Sequence, residues 1–331
     1  MSFILGTTLL AVVTALACAL PGVFVVLRKN SMLVDAISHA VLPGIVVGYF
    51  FTHSLDSPLL IVGAALTGLI VVLGSEWLTG TGLITGDAPQ GLIFPALFSG
   101  GVILVTLNFA NVHLDTHAVL VGDLNLAAFH QLIVGGVSIG PSYLYVMLGV
   151  LTLNVAFLTA GYHRLKITTF DAQFASSIGV RSGLVNTAFM FMVSLTVTAA
   201  FNAAGAILVI ALMIVPPATA YLVSRRLPVM IALTAVIAAG GAVAGFRLSY
   251  ALDAATSAGM AVFYGVVFTT VFAGVRLTHR FRNAGYRPTE LRVSGDHRGD
   301  GQQRPVNEAG CDEAAALGAD IPEQQPGDRG P

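Results

Sequence analysis

The sequence predicts an all-α, polytopic membrane protein with about nine transmembrane helices, eight at the fewest, and three observations carry that prediction. Of 331 residues, 55% are hydrophobic and only 10% are charged, where a soluble protein carries about 25% charged residues. Mean hydropathy is +0.82. Apolar stretches of roughly the 20 residues that a helix needs to cross a bilayer occupy 3–27, 33–52, 58–77, 90–109, 131–160, 184–201, 203–223, 228–246 and 250–275. The eighth-or-ninth ambiguity lies at Asn202 to Gly205, where two stretches meet with almost no polar loop and one of them could be re-entrant.

The first stretch has no basic residue ahead of it and exceeds the core of a signal peptide, so it is expected to remain as a span. The second opens with RKNSMLVDAISHAVLPGIVVG, residues 28–48. Asp35 and His39 are four residues apart and share one helix face, where together they can reach one ion. Pro43 cannot donate to the carbonyl of His39, which leaves a third donor atom in the same two turns. Ionisable side chains and free carbonyls inside a membrane are costly unless they face protein, water or an ion. The competing reading is a structural pair that ties helices together. His53, at the far end of this stretch, reads as an interfacial residue.

Between the fourth and fifth stretches, His113, Asp115 and His117 alternate in NVHLDTHAVLVGDL. An extended chain would put all three on one side as a metal-attracting rim, or simply as a polar surface. Between the fifth and sixth, TTFDAQFASSIGVRSG is too polar to span. Phe170, Phe174, Ala175 and Ile178 recur there at helical spacing, Thr169 and Asp171 are candidate caps, and Gly179 closes the segment. The spacing predicts a short amphipathic helix near 169–180 that either meets a partner or lies on the membrane. Pro216 and Pro217 break the seventh stretch and either line a path or form a packed kink. Asp253, Glu76 and Asp87 are single acids with no partner in view.

Basic residues fall in alternate loops: Arg28 with Lys29, Arg164 with Lys166 and Arg181, Arg225 with Arg226, and Arg276 with Arg280, Arg247 being the exception. Such loops are cytoplasmic, which predicts a cell-membrane protein with the amino terminus outside and the carboxyl terminus in the cytoplasm. Residues 1–280 form the predicted membrane domain, and 281–331, rich in Gly, Pro, Gln and both charges, a disordered cytoplasmic tail. Cys18 and Cys311 supply neither a disulfide framework nor a thiolate site. The net charge of -1 says nothing for a nucleic-acid partner, and none is expected. No phosphate loop or HExxH is present, so the chain is not expected to be an enzyme or to hydrolyse ATP itself.

Five stretches then carry a resemblance: GVFVVLRKNSMLVDAISHAVLPGIVVG, GDAPQGLIFPALFSGGVILV, HLDTHAVLVGDL, DAQFASSIGV and AGAILVIALMIVPPATAYLV. They resemble the membrane permeases of the ATP-binding-cassette uptake systems for zinc, manganese and iron, the manganese-type branch above all. The resemblance implies a type II importer-like permease fold. It implies that Asp35 and His39 are metal ligands or gate residues, and that Asp171, Phe174, Ala175 and Gly179 belong to a coupling helix for the ATPase. It also implies a second permease subunit, identical or paralogous, a cytoplasmic ATPase dimer and an extracytoplasmic metal-binding protein. His113, Asp115, His117 and Asp253 are the weaker metal candidates, and Pro43, Pro216 and Pro217 the path-lining kinks. No cofactor is expected beyond the transported divalent metal. A secondary, proton-coupled metal transporter using the same Asp and His is the alternative. An intramembrane metalloprotease would need a second histidine and a base that this motif lacks.

Overall fold

The structure is a computed structural model that describes residues 3–52, 58–84, 86, 88–108, 124–129, 131–134 and 137–284. Eleven helices and one hairpin are found among the described residues: α1 Phe3–Leu27, α2 Ser31–Thr52, α3 Pro58–Gly80, α4 Ala88–Asn108, α5 Leu124–Phe129, β1 Gln131–Val134, β2 Val137–Pro141, α6 Ser142–Phe170, α7 Ala172–Ser177, α8 Ser182–Ala204, α9 Ala206–Val223, α10 Leu227–Ala251 and α11 Thr256–Ala284. Nine of these helices are long and apolar enough to span a bilayer: α1 to α4, α6, and α8 to α11. The α8–α9 pair therefore counts as two spans. They are separated by Gly205 alone, whose φ of 77° is open to glycine at little steric cost.

One boundary differs from the sequence reading. The fifth apolar stretch was expected to span from residue 131, but Gln131–Val134 and Val137–Pro141 pair as antiparallel strands with a register shift between Leu132 and Ile133. The helix begins only at Ser142, after Gly140 (φ 140°) and Pro141. Continuous apolarity does not separate a strand from a helix. The Gly135-Gly136 pair between two short β-rich runs was the available hairpin signal. At its other end α6 continues through Arg164 and Lys166 to Phe170, and its 29 residues extend about 43 Å, longer than a hydrocarbon core of about 30 Å.

α1 is the centre of the bundle and packs on α6, α8, α9 and α10. Pro21 lies inside it and cannot donate to the carbonyl of Ala17. The buried amide of Asn154 on α6 takes that role: Nδ2 donates to Ala17 O at 3.1 Å and to Thr196 Oγ1 on α8 at 2.9 Å. Thr196 in turn donates to Met192 O. Asn154→Leu is therefore expected to leave a buried carbonyl unpaired, at about 1–3 kcal/mol. The check is a fall in the melting temperature of the purified permease in detergent; an unchanged transition would show that water or another donor replaces the amide.

Pro217 similarly frees Met213 O on α9, and that oxygen points at Gly22 of α1. A Cβ at Gly22 would lie 2.0 Å from it. The two backbones touch there, as small residues allow in membrane bundles. Gly22→Val would force α1 and α9 apart, and folded protein recovered after detergent extraction is expected to fall sharply. Both prolines are buried within α9.

Candidate functional site

α2 is held from behind and from one side. Gly44 approaches α3 so closely that a Cβ would lie 2.4 Å from the Cα of Ala64, and Pro43 sits against Gly101 of α4. At 100° per residue Gly44 is 180° around the helix from Asp35, so the α3 contact occupies the face opposite the acid. Asp35 and His39 consequently stand together on the front. Asp35 Oδ1 is 3.5 Å from His39 Nε2, and the side chains are 42% and 36% exposed respectively. The His39 ring stacks on Phe94 of α4, with centroids 5.5 Å apart, and meets Phe98 edge-on at 6.5 Å. One flank of the imidazole is thus apolar.

The expected amphipathic segment is also present. α7 spans six residues, Ala172–Ser177. The Asp171 carboxylate accepts from the Phe174 N–H at 2.8 Å, a side-chain N-cap. Gly179 at φ 79° ends the segment, with Val180 N donating to Ala175 O at 3.0 Å. Ala175 is buried against the bundle, whereas Phe170, Phe174 and Ile178 are exposed. Thr169 is not a cap. It closes the last turn of α6, donates to Leu165 O and accepts from Arg28. Helix α6 overruns the expected start of the segment, so its hydroxyl has helical carbonyls within reach.

Among the described residues the other candidate ligand, Asp253, is not gathered to the pair. Asp253 is exposed in the α10–α11 turn at φ 49°. Pro216 and Pro217 are buried within α9. His53, Asp87, His113, Asp115 and His117 lie outside the described residues. Among the described residues no three His, Cys, Asp or Glu side chains converge. Two donors fall short of the four to six or more that a metal ion takes.

Residues 1–274 match the ABC 3 transport family. The chain belongs to that family. The relatives of this ABC 3 chain include the manganese transport system membrane protein MntD of Bacillus subtilis, 40% identical over 272 residues, which cover 82% of this chain and 92% of the relative. The zinc transport system membrane protein TroD of Treponema pallidum is 44% identical over 264 residues, 80% of this chain and 72% of the relative. Among solved structures, PsaBC from Streptococcus pneumoniae in complex with Fab is similar with a TM-score of 0.68 and 25% identity, covering 82% of this chain and 91% of that chain. The nine-span fold is that of an ABC-transporter membrane subunit.

Sequence reasoning passed over one feature of this ABC 3 chain. Glu76, read as a lone acid, accepts from the amide of Asn186, and Asn186 accepts from Arg28. The three lie far apart in the chain, and no spacing rule connects them.

Proposed function

We propose that this ABC 3 chain is the translocation subunit of an ATP-driven importer of a divalent metal ion, manganese or zinc first and iron next. The observation that carries the proposal is the Asp35–His39 pair, partly open, on a span whose neighbouring residues Ala36, Ile37, Ser38 and Ala40 are buried. An unshielded carboxylate inside a membrane is retained where it meets an ion path. Carboxylate and imidazole suit manganese, zinc and iron alike. The relatives' names divide between manganese and zinc at similar identity, so kinship does not choose the metal.

A second permease copy, identical or paralogous, would bring another Asp/His pair to the open face. Four protein donors with water then approach the six-coordinate sphere that manganese favours over tetrahedral zinc. Phe94 and Phe98 would limit water around the imidazole and hold its ring toward the carboxylate. The ATPase dimer would dock on α7, where exposed Phe174, with Phe170 before the helix and Ile178 after it, offers an apolar knob. We assign this end to the cytoplasm because Arg28, Lys29, Arg181, Arg225 and Arg226 lie in its turns and Arg164 and Lys166 in the last turns of α6. An extracytoplasmic binding protein would deliver the ion at the opposite end, with the loop holding His113, Asp115 and His117 as its entry rim. ATP binding and hydrolysis in the partner would alternate access to the pair, and this chain would catalyse no covalent step. The segment from about 281 onward would be a cytoplasmic tail.

The test is ATP hydrolysis by the purified complex with its external binding protein. Manganese or zinc is expected to stimulate it. Absence of stimulation by every divalent metal tried would overturn the reading and favour a proton-coupled carrier.

A further inference from the structure

Arg28 lies in the turn between α1 and α2 and reaches out of it in three directions. Nε donates to Thr169 Oγ1 at 3.0 Å, Nη2 donates to Thr168 Oγ1 at 3.1 Å, and Nη1 donates to Asn186 Oδ1 on α8. Its guanidinium carbon is 4.9 Å from the ring centroid of Phe189. Asn186 then donates to Glu76 on α3. One side chain therefore joins the α1–α2 turn, the end of α6, the start of α8 and, through Asn186, α3. Burial pushes the guanidinium down to about 10 while the Glu76 carboxylate works against that shift, so Arg28 remains a cation at neutral pH.

The position of this cluster in the chain gives it a direction. Thr168 and Thr169 are in the last turn of α6, which only Asp171 separates from α7. On the other side, α2 begins at Ser31, three residues after Arg28, and Asp35 follows about one turn later, about 6 Å along the axis from Ser31. The intervening turn is closed: Lys29 is left-handed at φ 59°, and Asn30 N donates to Val25 O at 3.1 Å. A shift of Thr168 and Thr169 is thereby passed to a stiff turn rather than absorbed by a loose one. A cavity of about 510 Å³ borders Arg28, Glu76, Thr168, Thr169 and Asn186, which leaves the cluster room to rearrange.

We propose that Arg28 is a positioning residue that links movement of the α7 docking segment to α2 and its Asp35–His39 pair. The inference rests on the functional reading above, with α7 as the ATPase contact. Guanidinium is suited to the task because its planar fork serves three acceptors at once, whereas an ammonium is a point charge on a flexible stem. A residue that merely clamps the bundle would, when removed, lower stability and every activity together. A linking residue separates ATP hydrolysis from its dependence on metal.

The experiment uses the complete complex of permease, ATPase and external binding protein in proteoliposomes, with manganese and zinc each supplied alone. Arg28→Gln is expected to keep assembly and basal ATP hydrolysis with a modest fall in melting temperature, while metal-stimulated hydrolysis and uptake fall about tenfold, within the span of ordinary coupling energies. Arg28→Lys is expected to recover only part. The double variant Thr168→Val with Thr169→Val keeps the charge and the Asn186 bond, and is expected to lose stimulation in milder form. Full stimulation in both Arg28→Gln and the double variant overturns the proposal, as does a parallel fall of basal activity, stimulation and melting temperature. If Arg28→Gln does not assemble, the double variant decides by itself, and unchanged stimulation there is again a refutation. Failure of the underlying functional reading is distinguishable, because it shows in the wild-type complex as no stimulation at all and removes the proposal with it.

Discussion

Asp35→Asn and His39→Ala are each expected to abolish uptake of radioactive manganese and zinc while the permease still folds and assembles. Both side chains are partly exposed on the front of α2, so neither replacement opens a cavity in the core. Asn keeps the size of Asp and can still accept from His39, but it removes the charge that balances a divalent ion. A ligand contributing about 3–4 kcal/mol corresponds to a loss of more than about 100-fold in affinity. Shared use of the site by two copies would deepen the effect, since each substitution then removes two donors. Uptake equal to wild type in both variants would show that the pair is a helix tie and that the ion passes elsewhere.

Phe174→Asp is expected to produce the second large effect, loss of ATPase binding with little loss of fold. Phe174 is exposed, and its backbone N–H, rather than its ring, completes the Asp171 cap. Substitutions at exposed positions usually alter stability by no more than about 0.5 kcal/mol. Aromatic anchors of an interface contribute about 2–4 kcal/mol when removed, and a carboxylate placed in the same apolar contact adds a desolvation cost. Copurification of the ATPase with the permease should therefore fail, while the permease alone keeps its melting temperature. Retention of the ATPase by Phe174→Asp would favour α7 lying on the membrane surface. Gly179→Val probes the same segment differently, because φ 79° disfavours a β-branched residue.

Most of the fold was legible because its information is local. A span needs only a sufficient run of apolar residues, and nine such helices stand close to the predicted stretches. The cap at Asp171 and the stop at Gly179 were readable for the same reason, since each depends on a few neighbouring residues. The failures have a common cause as well. Residues 131–141 are as apolar as a span, and only the Gly-Gly pair and Pro141 distinguish the hairpin from the helix that follows. Thr169 was a plausible cap until the length of α6 was known. Pro216 and Pro217 announced a broken helix, but not that Met213 O would face Gly22.

The candidate site divides along the same line. By itself the sequence determined that Asp35, His39 and Pro43 share two turns of a span, that α7 carries an apolar face, and that basic residues collect in alternate loops. These follow from helical periodicity and from the cost of charge in lipid, both of which act over fewer than about 20 residues. Tertiary structure decided which face of α2 stays open, by placing α3 behind Gly44 and α4 beside Pro43. It also brought Arg28 to Thr168 and Asn186, 140 and 158 residues away. Such contacts are stabilised only after the helices pack, when a buried guanidinium must find acceptors near it in space whatever their distance along the chain.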